Sequence, residues 1–226
     1  ITERYTAIID GLGIDLDLSS EFDQIRNSIT HHAGRDYAAS RGEYLNGIIL
    51  AKLLGYDFID AAYVIYFREN GSFDDEGTNE VLKELLKKHT HAVIPGFYGS
   101  MPNGTVKTFS RGGSDITGSV VARAAGADLY ENFTDVSGFF MTDPRIVENP
   151  RRIDLITYRE LRELSYMGAS VLHEDAVFPV RQANIPINIR NTNCPTDPGT
   201  FIVPTLPATA HKRKITGVAG RKGFSS

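Results

Sequence analysis

The chain has 226 residues, 41% hydrophobic and 23% charged, the balance of an ordinary globular protein long enough to bury a substantial core. A net charge of −4 argues against a nucleic-acid partner, which calls for a basic face. The single cysteine, Cys194, excludes an internal disulfide and favours a reduced, cytoplasmic setting, while no apolar run approaches the ~18 residues of a membrane span and no signal peptide opens the chain.

The chain begins at Ile1 rather than Met, and residues 1–10 read as mid-helix, so a piece of a longer protein is expected. Residues 18–33 open with Leu-Ser-Ser-Glu, a cap followed by helix. Residues 35–54 form a second helical stretch, with Leu45, Ile48, Ile49 and Leu53 spaced for one buried face. The apolar run 58–67 predicts a buried strand, and Gly71 to Gly77 an acidic turn. Residues 79–89 give the clearest helix, with Val81, Leu82, Leu85 and Leu86 inward. Short strands follow at 91–94, ending at Pro95-Gly96, and at 106–109. A small-residue helix covers 115–126, closed by Gly126. Further on come a strand at 128–133, a helix at 157–166, a helix at 174–183 bent near Pro179, and strands at 185–189 and 200–203. Alternating strands and helices imply an α/β fold, a mainly parallel sheet covered on both faces. Residues 204–214 have linker composition, and a new strand-like run starts at Ile215 to Val218.

Three segments carry chemistry. Ser-Arg-Gly-Gly-Ser-Asp at 110–115 lies between a strand and a helix. Its glycines let backbone approach a ligand, Ser114 or Asp115 can cap the helix, and Arg111 offers a planar fork for carboxylate or phosphate. The plain alternative is a capped helix after a tight turn. Ser-Arg-Gly-Glu at 40–43 places a costly glycine in a helix, which close approach by another group would explain, and Glu43 can bind an ammonium or simply complement the helix dipole. Residues 134–145 follow a strand at its carboxyl end, where α/β sheets bind ligands. There Thr134 and Asp135 can hydrogen-bond a nucleotide, Phe140 can stack and Arg145 can meet phosphates, or the segment is an Asx turn and an Asp-Pro turn over core aromatics. His173, in 166–174, lacks a partner at metal-ligand spacing and reads as structural, so no metal ligand is assigned.

Taken in order, S-R-G-E at 40–43, P-G-F at 95–97, S-R-G-G-S-D at 110–115, T-D-V-x-G at 134–138, T-D-P-R at 142–145, G-A-S-V-L-H at 168–173 and I-P-I-N-I at 185–189 resemble the amino-acid kinase superfamily and, within it, the aspartokinases. The resemblance spans about Ile1 to Val203, and I-T-G-V-A at 215–219 resembles the opening strand of the regulatory ACT domain of that family. It implies a three-layer αβα sandwich, a catalytic domain at 1–204, a linker at 205–214 and a truncated ACT domain at 215–226. It implies ATP and Mg²⁺, transfer of the γ-phosphoryl group to the β-carboxylate of L-aspartate as the first step of lysine, threonine and methionine biosynthesis, and a homodimer in the intact enzyme.

The same resemblance implies roles. Glu43 would bind the aspartate amino group, Arg111 and Ser114 its carboxylate, and Asp115 would organise the reacting centre, with Arg111 and Asp115 as the catalytic pair. Thr134, Asp135, Phe140, Asp143, Arg145 and Ser170 would line the ATP site. Two departures stand out. The K-F-G-G loop with its lysine is absent, and Ser170 and Phe140 stand where relatives often carry lysine and tyrosine. A glutamate or acetylglutamate kinase, a nucleoside monophosphate kinase and a non-catalytic amino-acid-sensing module are the competing readings.

Overall fold

The computed structural model describes residues 1–166, 172, 174–208, 215–218 and 220. The chain divides into two units, Ile1–Thr117 and Gly118–Ser226.

The first unit opens with three helices, α1 (Thr2–Leu12), α2 (Ser19–Thr30) and α3 (Arg35–Leu54). Gly13 and Gly55 end α1 and α3 at φ 64° and 68°, where a side chain would strain the backbone. Ile9, Leu18, Ile25, Leu45 and Ile49 make their shared core. Leu53 was expected inward, but it is exposed, because the last turn of α3 runs beyond that core. The N-cap position of α2 is Leu18, which has no side-chain cap; instead Asp17, one residue upstream of the expected segment, accepts from the Ser19 amide and hydroxyl at 2.9 and 2.6 Å.

Residues 58–67 are not the expected strand. Extended pairing is confined to the ends of that run: β1 (Asp57–Phe58) pairs in parallel with β2 (Ala92–Val93), and Tyr66 and Phe67 make single bridges to Ser100 and Phe73. A 3₁₀ turn at Ala61–Tyr63 lies between them, capped by the Asp60 carboxylate on the Ala62 amide. Ala61, Val64 and Ile65 are buried all the same, so the run's apolarity reports burial and not conformation. Helix α4 (Asp75–Leu86) starts inside the expected acidic turn, burying Leu82 and Thr78 and leaving Val81 exposed. The Thr78 hydroxyl accepts from the Tyr66 amide, which turns a polar residue inward where Val81 was expected. The hairpin β3 (Tyr98–Ser100) and β4 (Val106–Thr108) is antiparallel. Strand β3 was not foreseen, since its Gly99 carries no pattern. A Cβ on Gly99 would lie 2.2 Å from the Ile65 carbonyl oxygen, so only glycine allows that approach. Helix α5 (Gly113–Ala125) contains the boundary between the units.

The second unit contains β5 (Tyr130–Thr134), β6 (Phe139–Phe140), β7 (Arg152–Ile153), β8 (Leu155–Thr157), α6 (Tyr158–Tyr166), α7 (Glu174–Gln182), β9 (Ile187–Asn191) and β10 (Thr200–Val203). A four-stranded sheet runs β5-β9-β10-β8, parallel at β5/β9 and β10/β8 and antiparallel at β9/β10. Helix α6 packs on β8, β10 and α7. Ile156, Ile187, Ile189 and Ile202 are fully buried in this unit. Pro179 lies inside α7, and the next amide, Val180, donates to the Ser119 hydroxyl. The two-residue strands β6 and β7 form a hairpin that closes the loop 141–151. Both units mix helices with parallel pairs, the expected α/β class. Ile215 to Val218 is irregular rather than a strand, because it is tied back to the second unit: Thr216 reaches Glu160 and the Val218 amide reaches Met141.

Candidate active site

In the first unit, two of the singled-out segments meet through glycines. A Cβ on Gly96 would lie 2.9 Å from Ser114 Cα, and one on Gly113 would lie 2.9 Å from Phe97 Cα and 2.8 Å from Phe109 Cβ. Phe97 adopts φ 81°, its amide donates to the Thr117 hydroxyl at 3.2 Å, and its carbonyl accepts from the Phe109 amide at 2.9 Å. The P-G-F segment therefore lies directly on the N-terminus of α5. Gly112, at φ 59°, turns the chain into that helix. The result is a helix start with its first amides beside small residues, exposed Ser114 and Arg111, and half-buried Asp115. Such an end attracts anions.

Helix α3 runs past this segment. Asp36 accepts from the Thr108 amide and hydroxyl at 3.3 and 3.1 Å and pairs with Lys107 at 3.4 Å. A Cβ on Gly47 would meet Phe58 and Pro95 at 3.0 and 3.3 Å. Positions 36, 43 and 47 share one helical face, so Glu43 sits on the face whose neighbours touch Thr108 and Pro95, and it is exposed there. The Tyr5 hydroxyl donates to the Gly42 carbonyl at 3.0 Å, but a Cβ at Gly42 would stand 3.7 Å from that hydroxyl oxygen, an ordinary contact, so this approach does not account for the glycine.

Arg41 was not singled out by the sequence, yet it is buried on the opposite side of α3. Its guanidinium lies 4.4, 4.6 and 5.3 Å from the ring centres of Tyr37, Tyr44 and Tyr98 and donates to the Ser40 hydroxyl at 3.1 and 2.9 Å. The Tyr98 hydroxyl donates to Asp60 at 2.7 Å, and burial, with the neighbouring Asp60 charge, raises its pKa far above the usual phenol. Tyr37 and Tyr44 at i−4 and i+3 were a readable signal for this cage; Tyr98, far along the chain, was not.

In the second unit, Thr134 ends β5 at its carboxyl end, opposite Asn191 of β9. The Thr134 hydroxyl donates to exposed Asp135 at 3.2 Å. The turn that follows is held by residues that sequence reading missed. Ser137 donates to Asp197 at 2.6 Å and accepts from Asn191 at 3.0 Å, and the Phe139 amide donates to the Thr200 hydroxyl at 2.8 Å. Gly138, at φ 99°, sits where a Cβ would fall 2.3 Å from that hydroxyl. The only signal was the asparagine-rich stretch 188–193, polar where a buried strand should be apolar.

Half-buried Phe140 pairs with Arg152 in the hairpin. Asp143 and Arg145 grip each other: Arg145 Nε and Nη2 donate to the Asp143 carboxylate at 3.0 and 2.7 Å, and the Arg145 amide adds a bond at 2.9 Å. These bonds hold the Asp143 carboxyl down to about 2. Ser170 and His173 lie outside the described residues. Among the described residues no group of three histidine, cysteine or acidic side chains forms a metal cluster.

A family model described as "Amino acid kinase family" matches residues 4–191. Aspartokinase 3 of Bacillus subtilis is 41% identical over 200 residues, covering 84% of this chain and 43% of that protein. The aspartokinase of Rickettsia prowazekii is 35% identical over 184 residues, covering 78% and 41%. Among solved structures, aspartate kinase of Clostridium acetobutylicum superposes with a TM-score of 0.89 at 57% identity, over 96% of this chain and 50% of that one. E. coli aspartokinase III, solved in complex with aspartate and ADP, gives 0.75 at 25% identity over 92% and 53%. The chain thus spans about half the length of the relatives it matches.

Proposed function

The chain belongs to the amino acid kinase family, and on that premise we propose that the protein transfers the γ-phosphoryl group of ATP to the β-carboxylate of L-aspartate. The product is 4-phospho-L-aspartate, the start of lysine, threonine and methionine biosynthesis. The observation that carries the reading is the α5 N-terminus, opened by Gly96 and Gly113 and flanked by Arg111, Ser114 and Asp115. Likeness to a structure holding aspartate and ADP supports it.

The acceptor carboxylate, with an ordinary pKa of ~3.9, is ionised at neutral pH and needs no general base. The barrier is the meeting of two anions, so the protein must position them and neutralise charge. In this reading Arg111 and Ser114 hold the α-carboxylate against the helix amides, Glu43 holds the amino group, and Asp115 orients the reacting centre. Thr134, Asp135 and Phe140 receive the nucleotide, and Arg145 exchanges Asp143 for a phosphate; the charge-neutral Ser170 adds no cation there. Mg²⁺ would arrive on the nucleotide, held mainly by phosphate oxygens and water. A cytoplasmic setting, supported by the single cysteine, is part of the reading. The 1–204, 205–214 and 215–226 divisions and a homodimer belong to the same reading.

The test is ADP release from the full-length gene product with aspartate, glutamate and acetylglutamate as acceptors. Aspartate should be preferred by at least 10²-fold in kcat/KM. Arg111→Ala should raise the aspartate KM by 10-fold or more. Equal turnover of all three acceptors, or none of aspartate, would overturn the reading.

A further inference from the structure

We propose that Thr216 and Val218 are positioning residues for nucleotide binding, straps that hold the loop 141–151 in its receiving shape. This rests on the reading of Asp143 and Arg145 as nucleotide-site residues. Strands β6 and β7 are two residues each, and so short a hairpin is marginal by itself. Inside it, the Met141 amide donates to the Arg151 carbonyl at 2.8 Å, the last backbone bond before the loop. The other side of that residue is engaged from far along the chain: the Val218 amide donates to the Met141 carbonyl at 2.6 Å.

Two further contacts fix the strap. The Thr216 hydroxyl donates to Glu160 at 2.5 Å, and Glu160 is itself locked by the Thr157 amide and hydroxyl at 2.8 and 2.7 Å. Gly217 lies between them, where a Cβ would stand 3.2 Å from Leu164 and 3.4 Å from the Met141 carbonyl. Helix α6 is therefore the fixed post, residues 216–218 the strap, and Met141 the point where the strap holds the loop. The loop residues beyond Met141 carry the Asp143–Arg145 pair. Releasing the strap leaves that pair intact but no longer fixes where it meets a polyphosphate.

ADP with MgCl₂ is titrated calorimetrically into the full-length gene product and its variants Thr216→Val, Thr216→Ser and Val218→Pro. Thr216→Val, equal in shape but without a donor, should weaken ADP about 10-fold. Thr216→Ser should restore affinity to within about 2-fold, and Val218→Pro, which removes the amide, should reproduce the loss. A lowered Tm with unchanged ADP affinity in both Thr216→Val and Val218→Pro would make the strap merely structural and overturn the proposal alone. An unmodified full-length protein that binds no ADP would overturn the nucleotide-site reading and the strap with it.

Discussion

At Gly113 a single methyl group decides whether two segments can touch. An alanine there would place its Cβ 2.8–2.9 Å from Phe109 and Phe97, and the first of these belongs to the backbone-proximal part of a buried ring. Overpacking of this kind costs about 1–3 kcal/mol, so Gly113→Ala should lower Tm by about 2–12 °C, read by scanning calorimetry. Arg41 is the second residue on which much depends. Its charge is accommodated by three tyrosine faces and one hydroxyl. Lysine keeps the charge but lacks the flat guanidinium that stacks on rings. Arg41→Lys should therefore lose about 1–2 kcal/mol of stability in urea titration, and Arg41→Met, which fills the space without charge, tests whether stacking or volume matters. If Lys equals the parent, the stack contributes nothing.

Helix α6 shows how an element carries pH dependence. Burial pushes the Glu160 carboxyl up, but hydrogen bonds from Thr216 and from the Thr157 hydroxyl and amide outweigh that and leave it below its ordinary value. The folded state therefore binds this proton more weakly than the unfolded chain. Its contribution is fully present above the ordinary carboxylate value of ~4.3 and is lost as pH falls through the lower folded value. The stability difference between the parent and Glu160→Gln should be constant above about pH 5 and shrink below it. A gap that widens on acidification would reverse the assignment. Elements of this kind were the legible ones: α3, expected at 35–54 from the spacing of its apolar residues, is found at Arg35–Leu54, and α6, expected at 157–166, starts one residue later. Strands were less legible. Residues 58–67 had the apolarity of a strand, but Asp60 captures the Ala62 amide and winds the chain into a 3₁₀ turn, a local hydrogen bond that hydropathy does not register. β3, β6, β7 and β8 are two or three residues long, too short for a period to show.

For the molecule as a whole, the residues assigned to aspartate (Glu43, Arg111, Ser114 and Asp115) lie in the first unit, and those assigned to ATP among the described residues lie in the second. Glu43→Gln should raise the aspartate KM by about 10-fold with little effect on the ATP KM, and Asp135→Asn should do the reverse, both measured on the full-length gene product. Mixed effects from each would show that the division of labour is wrong. The order of motifs along the chain made these residues findable. It could not reveal what holds them, because the partners are distant in sequence: Asp36 with Thr108, Gly96 with Ser114, Ser137 with Asp197, Gly138 with Thr200. Those contacts are set by chain crossings, and no window of neighbouring residues contains both members.

The grip between Asp143 and Arg145 has one more consequence. For Arg145 in the role proposed, an incoming polyphosphate displaces an anion already in place, so the event is an exchange of ion pairs. Dissolved salt screens the bond that is broken as well as the bond that is made. Nucleotide affinity should accordingly fall less steeply with ionic strength than in Asp143→Asn, where the guanidinium stands open and every added millimolar of salt competes with the nucleotide directly.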